Sequence, residues 1–345
     1  MTTPALLGLA TQLPAHRHLQ MDLHDRWLFP FIHSQRARAI FAAAEIESRY
    51  SVMADSSFLD SKPTTQARNQ LYLETARPLA LAVIQQALAN AKLTPRDLDH
   101  FIITSCTGWD TPGLEVTLAA ELGMKPTLRR TALMGMGCQA GLTGFDRAML
   151  EITARPQSLV LLVAVELCSL QFQHGNTLEN MIADALFGDG LGAAILGHSE
   201  TAPRLLDTMS YHHYAAPTAM GVHLSDQGYQ IELATRVPKL LRQLIPEIMP
   251  AFFNQVGLKQ SDIRFWGIHP GGAKIVEVVG ESLHLSEMDL SYARRVLRHY
   301  GNMSSATIFF VLEDMMQHGN PQRGDYAILM TFGPGLTVEL ALMQF

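Results

Sequence analysis

The chain is short of cysteine, short of charge and without a long apolar run, and each shortage excludes something. Its 345 residues hold three cysteines, Cys106, Cys138 and Cys168. So sparse and odd a count argues against a disulfide framework and for a reducing compartment, so a cytoplasmic location is expected. Charged residues make up 17% and leave a net charge of −6. No basic excess is available to neutralise a phosphate backbone, which speaks against a nucleic-acid partner. A local basic mouth for a phosphate-bearing ligand remains compatible with that average. No run of about eighteen apolar residues occurs, so no membrane span is expected. The N-terminus has no basic region leading into an apolar stretch, so no signal peptide is expected. His16, His18 and His24 are scattered with nothing nearby to complete a ligand set, and no metal is expected. What is abundant is apolar side chain, 48% of the residues, enough for a large core or two fused halves.

One stretch concentrates the chemistry: Met134-Gly-Met-Gly-Cys138-Gln-Ala-Gly141. It lies between the apolar Thr131-Ala-Leu133 and a helical pattern from Leu142 to Ile152. The glycines permit a sharp turn and close approach of a ligand. A helix start offers unpaired N–H groups and partial positive charge, so a thiolate at Cys138 is expected to be stabilised and nucleophilic near neutral pH. The plainer alternative is a small buried cysteine beside packing glycines. A dinucleotide loop fits poorly, because Gly135-x-Gly137-x-x-x-Gly141 is one residue too long for the usual fingerprint.

Hydrophobic periodicity places helices at Arg36–Ile46, Tyr72–Ala91, Leu114–Leu122 and Leu178–Phe187. Glu47 leads into an extended segment, residues 55–68 read as a polar loop, and Leu98–Ser105 and Leu159–Val165 read as buried strands. The second half then repeats the first. Leu93–Ile103 lies over Leu258–Ile268 without a gap, at an offset of 165 residues (93 to 258), each copy following an amphipathic helix. At nearly the same offset Cys138 falls on Asn302, and both precede a helix, a polar turn and an apolar strand. Two coincident offsets indicate internal duplication. Alternating strands and helices imply α/β layers, with residues 1–200 and 201–345 as the halves and equivalent loops around one shared site. Cys138 and Asn302 would then face each other. His269, in Gly267-Ile-His-Pro-Gly-Gly272 after the strand Arg264–Ile268, would join them. A thiolate paired with an imidazole, beside an amide that donates without titrating, suits attack on a thioester and stabilisation of an enolate or oxyanion.

The motifs Gly137-Cys138-x-Ala140-Gly141, Ala185-Leu-Phe-Gly-Asp-Gly190, Gly267-Ile-His269-Pro-Gly-Gly272, Tyr300-Gly-Asn302-Met-Ser-Ser305 and Phe332-Gly-Pro-Gly335 together make the chain similar to the bacterial type III polyketide synthases. These are the chalcone synthase-like branch of the thiolase fold. The resemblance runs from about Arg36 to the end. It implies a duplicated, five-layered αβαβα fold with pseudo-twofold halves and a homodimer. It also implies CoA thioester substrates, with no cofactor besides them. By this resemblance Cys138 carries the acyl and polyketide chain, while His269 and Asn302 promote decarboxylation of malonyl-CoA and hold the thioester oxygen. Phe187 matches the aromatic gate between the CoA tunnel and the pocket. Ser304 and the loop Phe332, Gly333, Pro334 and Gly335 match pocket positions, and Arg36, Gly271, Gly272 and Ala273 are expected on the CoA side.

The chain departs from the plant enzymes in several places. Ile231 stands at their second gating aromatic and Val222 at their cavity-floor glycine. Cys106, Cys168 and Gln171 stand where they keep threonines, and Thr111 where a methionine is offered across the dimer interface. Several basic CoA-contacting positions near residues 39–43 are apolar here. Val222 and Ile231 together lead us to expect a flexible aliphatic starter extended to an alkylpyrone or alkylresorcinol. The two cysteines point instead to a malonyl-primed small aromatic. The competing functions are a fatty-acid initiation synthase acting on carrier-protein thioesters and a catalytically silent acyl-CoA binder.

Overall fold

A computed structural model describes residues 3–28, 34–173, 175 and 177–345. Its strands in chain order are β1 (Pro4–Gln12), β2 (His16–Leu19), β3 (Ser48–Ser51), β4 (His100–Ser105), β5 (Arg129–Met134), β6 (Val160–Leu167), β7 (Asp189–His198), β8 (Arg204–His212), β9 (Met220–Ser225), β10 (Gly228–Leu233), β11 (Ile263–Ile268), β12 (Tyr326–Gly333) and β13 (Thr337–Gln344). Nine of them form one sheet in the order β11-β12-β13-β8-β1-β7-β6-β4-β5. The join between β1 and β8 is a single pairing, Ala5 with Arg204, so the sheet is two half-sheets meeting edge to edge.

Each half-sheet has the same plan. β4 is parallel to β6, which is antiparallel to β7; β11 is parallel to β12, which is antiparallel to β13. Thus β4-β6-β7-β1 matches β11-β12-β13-β8, and β5 at the outer edge is the extra strand. The approach to β4 and β11 repeats in detail. Lys92 and Gly257 each end a helix in the left-handed region, and the carboxylates of Asp97 and Asp262 each accept the backbone N–H three residues earlier, of Thr94 and Lys259. The duplication inferred at an offset of 165 residues therefore reaches down to the capping side chains.

Alternation along the strands sorts the apolar side chains into three layers. Phe101, Ile103, Leu161 and Val163 face Val83, Ile84 and Ala87 of the outer helix Thr65–Ala91. Ile102 and Leu162 from one half-sheet, and Ala327 and Leu329 from the other, enclose Phe145, Phe309 and Leu312 of the helices Ala140–Ala154 and Thr307–His318. Ile328, Met330, Val338 and Leu340 face Leu241, Ile245 and Ile248 of Val237–Val256. The result is helix, sheet, helix pair, sheet, helix: the five-layered thiolase-type arrangement with pseudo-twofold halves. The two central helices touch near their N-termini, where a Cβ on Gly141 would lie 2.6 Å from the Ser305 carbonyl oxygen. That crossing brings Cys138 and Asn302 to one place.

Several local expectations are corrected. Residues 55–68 are not one loop. They contain a short helix, Ser57–Asp60, and the long helix starts at Thr65, with the Thr64 hydroxyl accepting the Ala67 N–H. That helix also runs through Pro78, at a cost of about 3 kcal/mol that burial of Ala76, Ala80, Val83 and Ile84 offsets. The N-terminal segment, which shows no clear pattern, contributes β1, the strand that joins the half-sheets.

Candidate active site

Cys138 follows β5 through Gly135 (φ +73°) and Gly137 (φ +62°), both in the left-handed region that favours glycine. The residue sits in a single 3₁₀ turn, Gly137–Gln139, that opens the helix Ala140–Ala154. A Cβ on Gly137 would lie 2.6 Å from Cδ of Pro334, so the turn is pressed against the Phe332–Gly335 loop. Asn302 occupies the equivalent place in the second half, before the turn Ser304–Ala306. Its sulfur-facing amide is oriented by its partners. Oδ1 accepts the Ser304 N–H at 2.8 Å and lies 3.9 Å from Cys138 Sγ, while Nδ2 donates to the Gly271 carbonyl (3.4 Å) and lies 4.0 Å from the same sulfur. Ser304 itself is held at φ +49°, a strained value for a residue with a Cβ, in contact with the site it supports.

His269 directly follows β11, in the loop where it was expected; its backbone N–H donates to Met330 O at 2.8 Å. Its ring is buried, and neither ring nitrogen has a hydrogen-bond partner among the described residues. Burial holds the imidazole down to about 3 and pushes the Cys138 thiol up to about 11. The hydroxyl of Ser304 lowers the thiol, less than burial raises it; the nearby Glu166 charge raises it further. The expected resting thiolate is thus corrected. At Cys138, 8% exposed, the cost of placing a charge in an apolar site outweighs the pull of the helix start. No Cys138–His269 hydrogen bond forms in this state. The pair rests neutral, with both nitrogens of the imidazole unengaged among the described residues.

Two cavities meet at Cys138 and Phe187. The outer one, about 370 Å³, brings together Cys138, His269, Asn302, Phe332, Gly271, Gly272 and Ala273, with Ile40, Ala43 and Ala44 on its wall. The inner one, about 60 Å³, brings together Cys106, Cys168, Gln171, Val222, Ile231, Ser304 and Pro334. Gly335 borders an open groove of about 440 Å³ beyond it, and Val222, 41% exposed, lines both. Val222 and Ile231 are cross-strand partners on β9 and β10, so the two departures form one wall. Gln171 is occupied structurally: its amide donates to Thr107 O and accepts from Tyr229 N. Gly333 lines neither cavity; a Cβ there would meet Gln139 Oε1 at 2.6 Å. Arg36 is exposed on the helix Gln35–Ala42, outside both cavity walls. It lies one turn before Ile40 on the same face.

Glu166, beside the inner cavity's Cys106, carried no reading in the sequence. It is fully buried near the end of β6. It accepts from the Cys106 N–H (3.1 Å) and the Thr107 (2.9 Å) and Ser305 (2.5 Å) hydroxyls, with Cys106 Sγ 3.4 Å away. The available signal was one carboxylate in an otherwise apolar strand, which has to find donors. Met220, Leu233 and Tyr229 also line the cavities and carried no pattern of their own.

Residues 5–200 match the N-terminal domain, and residues 213–345 the C-terminal domain, of chalcone and stilbene synthases. A 1,3,6,8-tetrahydroxynaphthalene synthase of Streptomyces peucetius subsp. caesius is 30% identical over 351 residues, covering 99% of this chain and 93% of that protein. An α-pyrone synthesis polyketide synthase-like protein of Mycobacterium tuberculosis is 30% identical over 355 residues, covering 98% and 90%. Among solved structures, PKS-I from the brown alga Ectocarpus siliculosus superposes with a TM-score of 0.94 at 26% identity, over 100% of this chain and 98% of that one. A thiol, an imidazole and an amide meeting where two duplicated halves cross agree with these likenesses. The chain belongs to the chalcone and stilbene synthase family and is an acyltransferase of the type III polyketide synthase class.

Proposed function

We propose that Cys138 is the acyl carrier and that His269 and Asn302 drive the extension step. A CoA thioester enters the outer cavity. Transfer between the two resting neutral groups is uphill, so the Cys138 proton passes to His269 in concert with attack of the sulfur on the thioester carbonyl, and the C–S bond to CoA then breaks with that proton going to the CoA thiol. Malonyl-CoA then loses its carboxylate as CO₂. The electron pair of that C–C bond forms an enolate, whose oxygen is held by Asn302 Nδ2 and a ring nitrogen of His269. The enolate carbon attacks the acyl carbonyl on Cys138, the C–S bond breaks, and the thiolate leaves. The chain returns to Cys138 for the next cycle and finally cyclises to a pyrone or a resorcinol or other phenolic product. The observation that carries this reading is the Asn302 amide beside Cys138, both lining the cavity that also holds the unpartnered His269 ring.

Phe187 separates the two cavities as a gate, and Ser304, Cys106, Cys168, Val222, Ile231 and Pro334 shape the inner one. Gly271, Gly272 and Ala273, with Arg36 above Ile40, receive the CoA. The tetrahydroxynaphthalene and α-pyrone synthases among the relatives support the product classes. The enzyme acts as a cytoplasmic homodimer with no cofactor besides its CoA substrates, its two halves dividing at residues 200 and 201. No helix among the described residues is long and apolar enough to cross a membrane. Incubation with malonyl-CoA and a panel of short, long and aromatic acyl-CoA starters, followed by mass analysis, tests the reading. Extended, CO₂-depleted products are expected; a thioester bound without turnover would leave the silent binder.

A further inference from the structure

The gate and the enolate-binding amide are one piece of backbone. Asn302 N–H donates to Leu186 O (2.8 Å) and Gly188 N–H donates to Asn302 O (2.9 Å), so Phe187 and Asn302 pair as a parallel bridge outside any sheet. Two such bonds do not by themselves hold a strip fixed. Directly beneath lies Arg49 of β3, 1% exposed. Its Nη1 donates to Asp184 O at 2.7 Å and makes a short bond to Phe187 O, tying down the last turn of the helix Leu178–Leu186 and the gate's own carbonyl. These are carbonyls at the negative end of a helix, where a cation is favoured.

The side chain also fills the space below both partners of the bridge. A Cβ on Gly188 would lie 3.3 Å from Arg49 Cβ, and one on Gly301 would lie 2.8 Å from Arg49 Cδ. The guanidinium carbon sits over Phe41 (5.7 Å) and Phe172 (5.5 Å). Asp184 and Asp189 lie close enough to oppose its charge, although burial pushes both carboxyls up, Asp184 to about 8 and Asp189 to about 6. An arginine this buried is costly, and its contacts converge on the segments bearing Phe187 and Asn302.

We propose that Arg49 is a positioning residue that sets the Phe187 gate and the Asn302 amide together, and that its loss weakens decarboxylation by displacing Asn302 rather than by unfolding the chain. The proposal rests on the roles given above to Asn302 and Phe187. A displacement of about 1 Å in a group that must meet a developing charge costs on the order of a hundredfold in rate. The test uses the full-length enzyme as Arg49→Met, which keeps bulk without donors, and Arg49→Lys, which keeps charge on a shorter reach. Malonyl-CoA decarboxylation, thermal midpoint and the rate of Cys138 alkylation by iodoacetamide are measured on each.

The expected result is a kcat for decarboxylation lowered at least tenfold in Arg49→Met and less in Arg49→Lys. KM and the alkylation rate should stay within about twofold. An unchanged kcat in either variant overturns the proposal, as does a kcat that falls only in step with alkylation. If Arg49→Met does not fold, Arg49→Lys decides alone, by whether its kcat falls while alkylation holds. Wild type and Asn302→Ala run beside them: decarboxylation that survives Asn302→Ala removes the role of Asn302 itself, a different failure from that of Arg49.

Discussion

Cys138 Sγ lies 3.9 Å from Oδ1 and 4.0 Å from Nδ2 of Asn302, although 164 residues separate them. Each stands just before a central helix of its own half, and the crossing of those helices makes the contact. The proposed nucleophile and the amide proposed to stabilise negative charge beside it thus occupy equivalent places in the two halves.

Replacing Cys138 with alanine should abolish product formation. Intact-protein mass analysis of wild type given an acyl-CoA should show one acyl adduct, and digestion should place it on Cys138. Cys106 shares the inner cavity but sits against the Glu166 carboxylate, which with burial holds its thiol well above the usual range. Cys106→Ser should therefore still acylate. An adduct on Cys106 in an active Cys138→Ala enzyme would overturn the assignment.

Asn302→Ala should lower malonyl-CoA decarboxylation by about a hundred- to a thousand-fold, the usual loss for one donor to a developing oxyanion. Substrate loading should suffer less, because the sulfur remains in place. Release of CO₂ from malonyl-CoA, followed without a starter, measures the step directly.

The resting thiol is neutral, so its pH profile should have no plateau in the neutral range. With the thiol pushed up to about 11, alkylation of Cys138 by iodoacetamide should climb steadily from pH 6 to 9. A plateau from about pH 6 would instead report a thiolate–imidazolium pair. His269 gives a second reading. Held down to about 3 against an ordinary 6.5, it is neutral in the folded chain where the unfolded chain takes up a proton. Its contribution to stability is present above 6.5 and is lost as pH falls toward 3, a loss on the order of 4 kcal/mol. His269→Gln should flatten that part of the acid-stability curve, as followed by urea unfolding at pH 7 and pH 4.

Val222→Gly should widen the wall that Val222 and Ile231 form and raise kcat/KM for bulkier starters relative to short ones. Methylenes in a pocket discriminate by about 1–3 kcal/mol, so preference rather than exclusion is expected. A wild-type preference for an aromatic starter, or no shift in Val222→Gly, would remove the expectation of a flexible aliphatic starter.

The groove beside the inner cavity exposes Trp109 (57%) and Leu224 (72%), apolar surface suited to a second copy of the chain. Light scattering at micromolar concentration should give twice the 38.1 kDa chain mass, and Trp109→Glu should shift it toward the monomer.

The sequence alone carried whatever depends on local pattern. Helical spacing located the principal helices and apolar runs located β4, β6 and β11, while β1, β2, β8, β9, β10 and β13 went unread, and the repeat at 165 residues announced two halves. Glycines around Cys138, His269 and Asn302 marked turns able to present a side chain. What depends on distant neighbours was silent. β1 has no distinctive pattern because its role is to pair across the join, and Glu166 and Arg49 look like isolated charges until their donors and acceptors from other segments surround them. The sign of the Cys138 shift also waited for the fold. A helix start favours a thiolate, but the packing of the two halves withdraws the sulfur from water, and that desolvation is the larger effect.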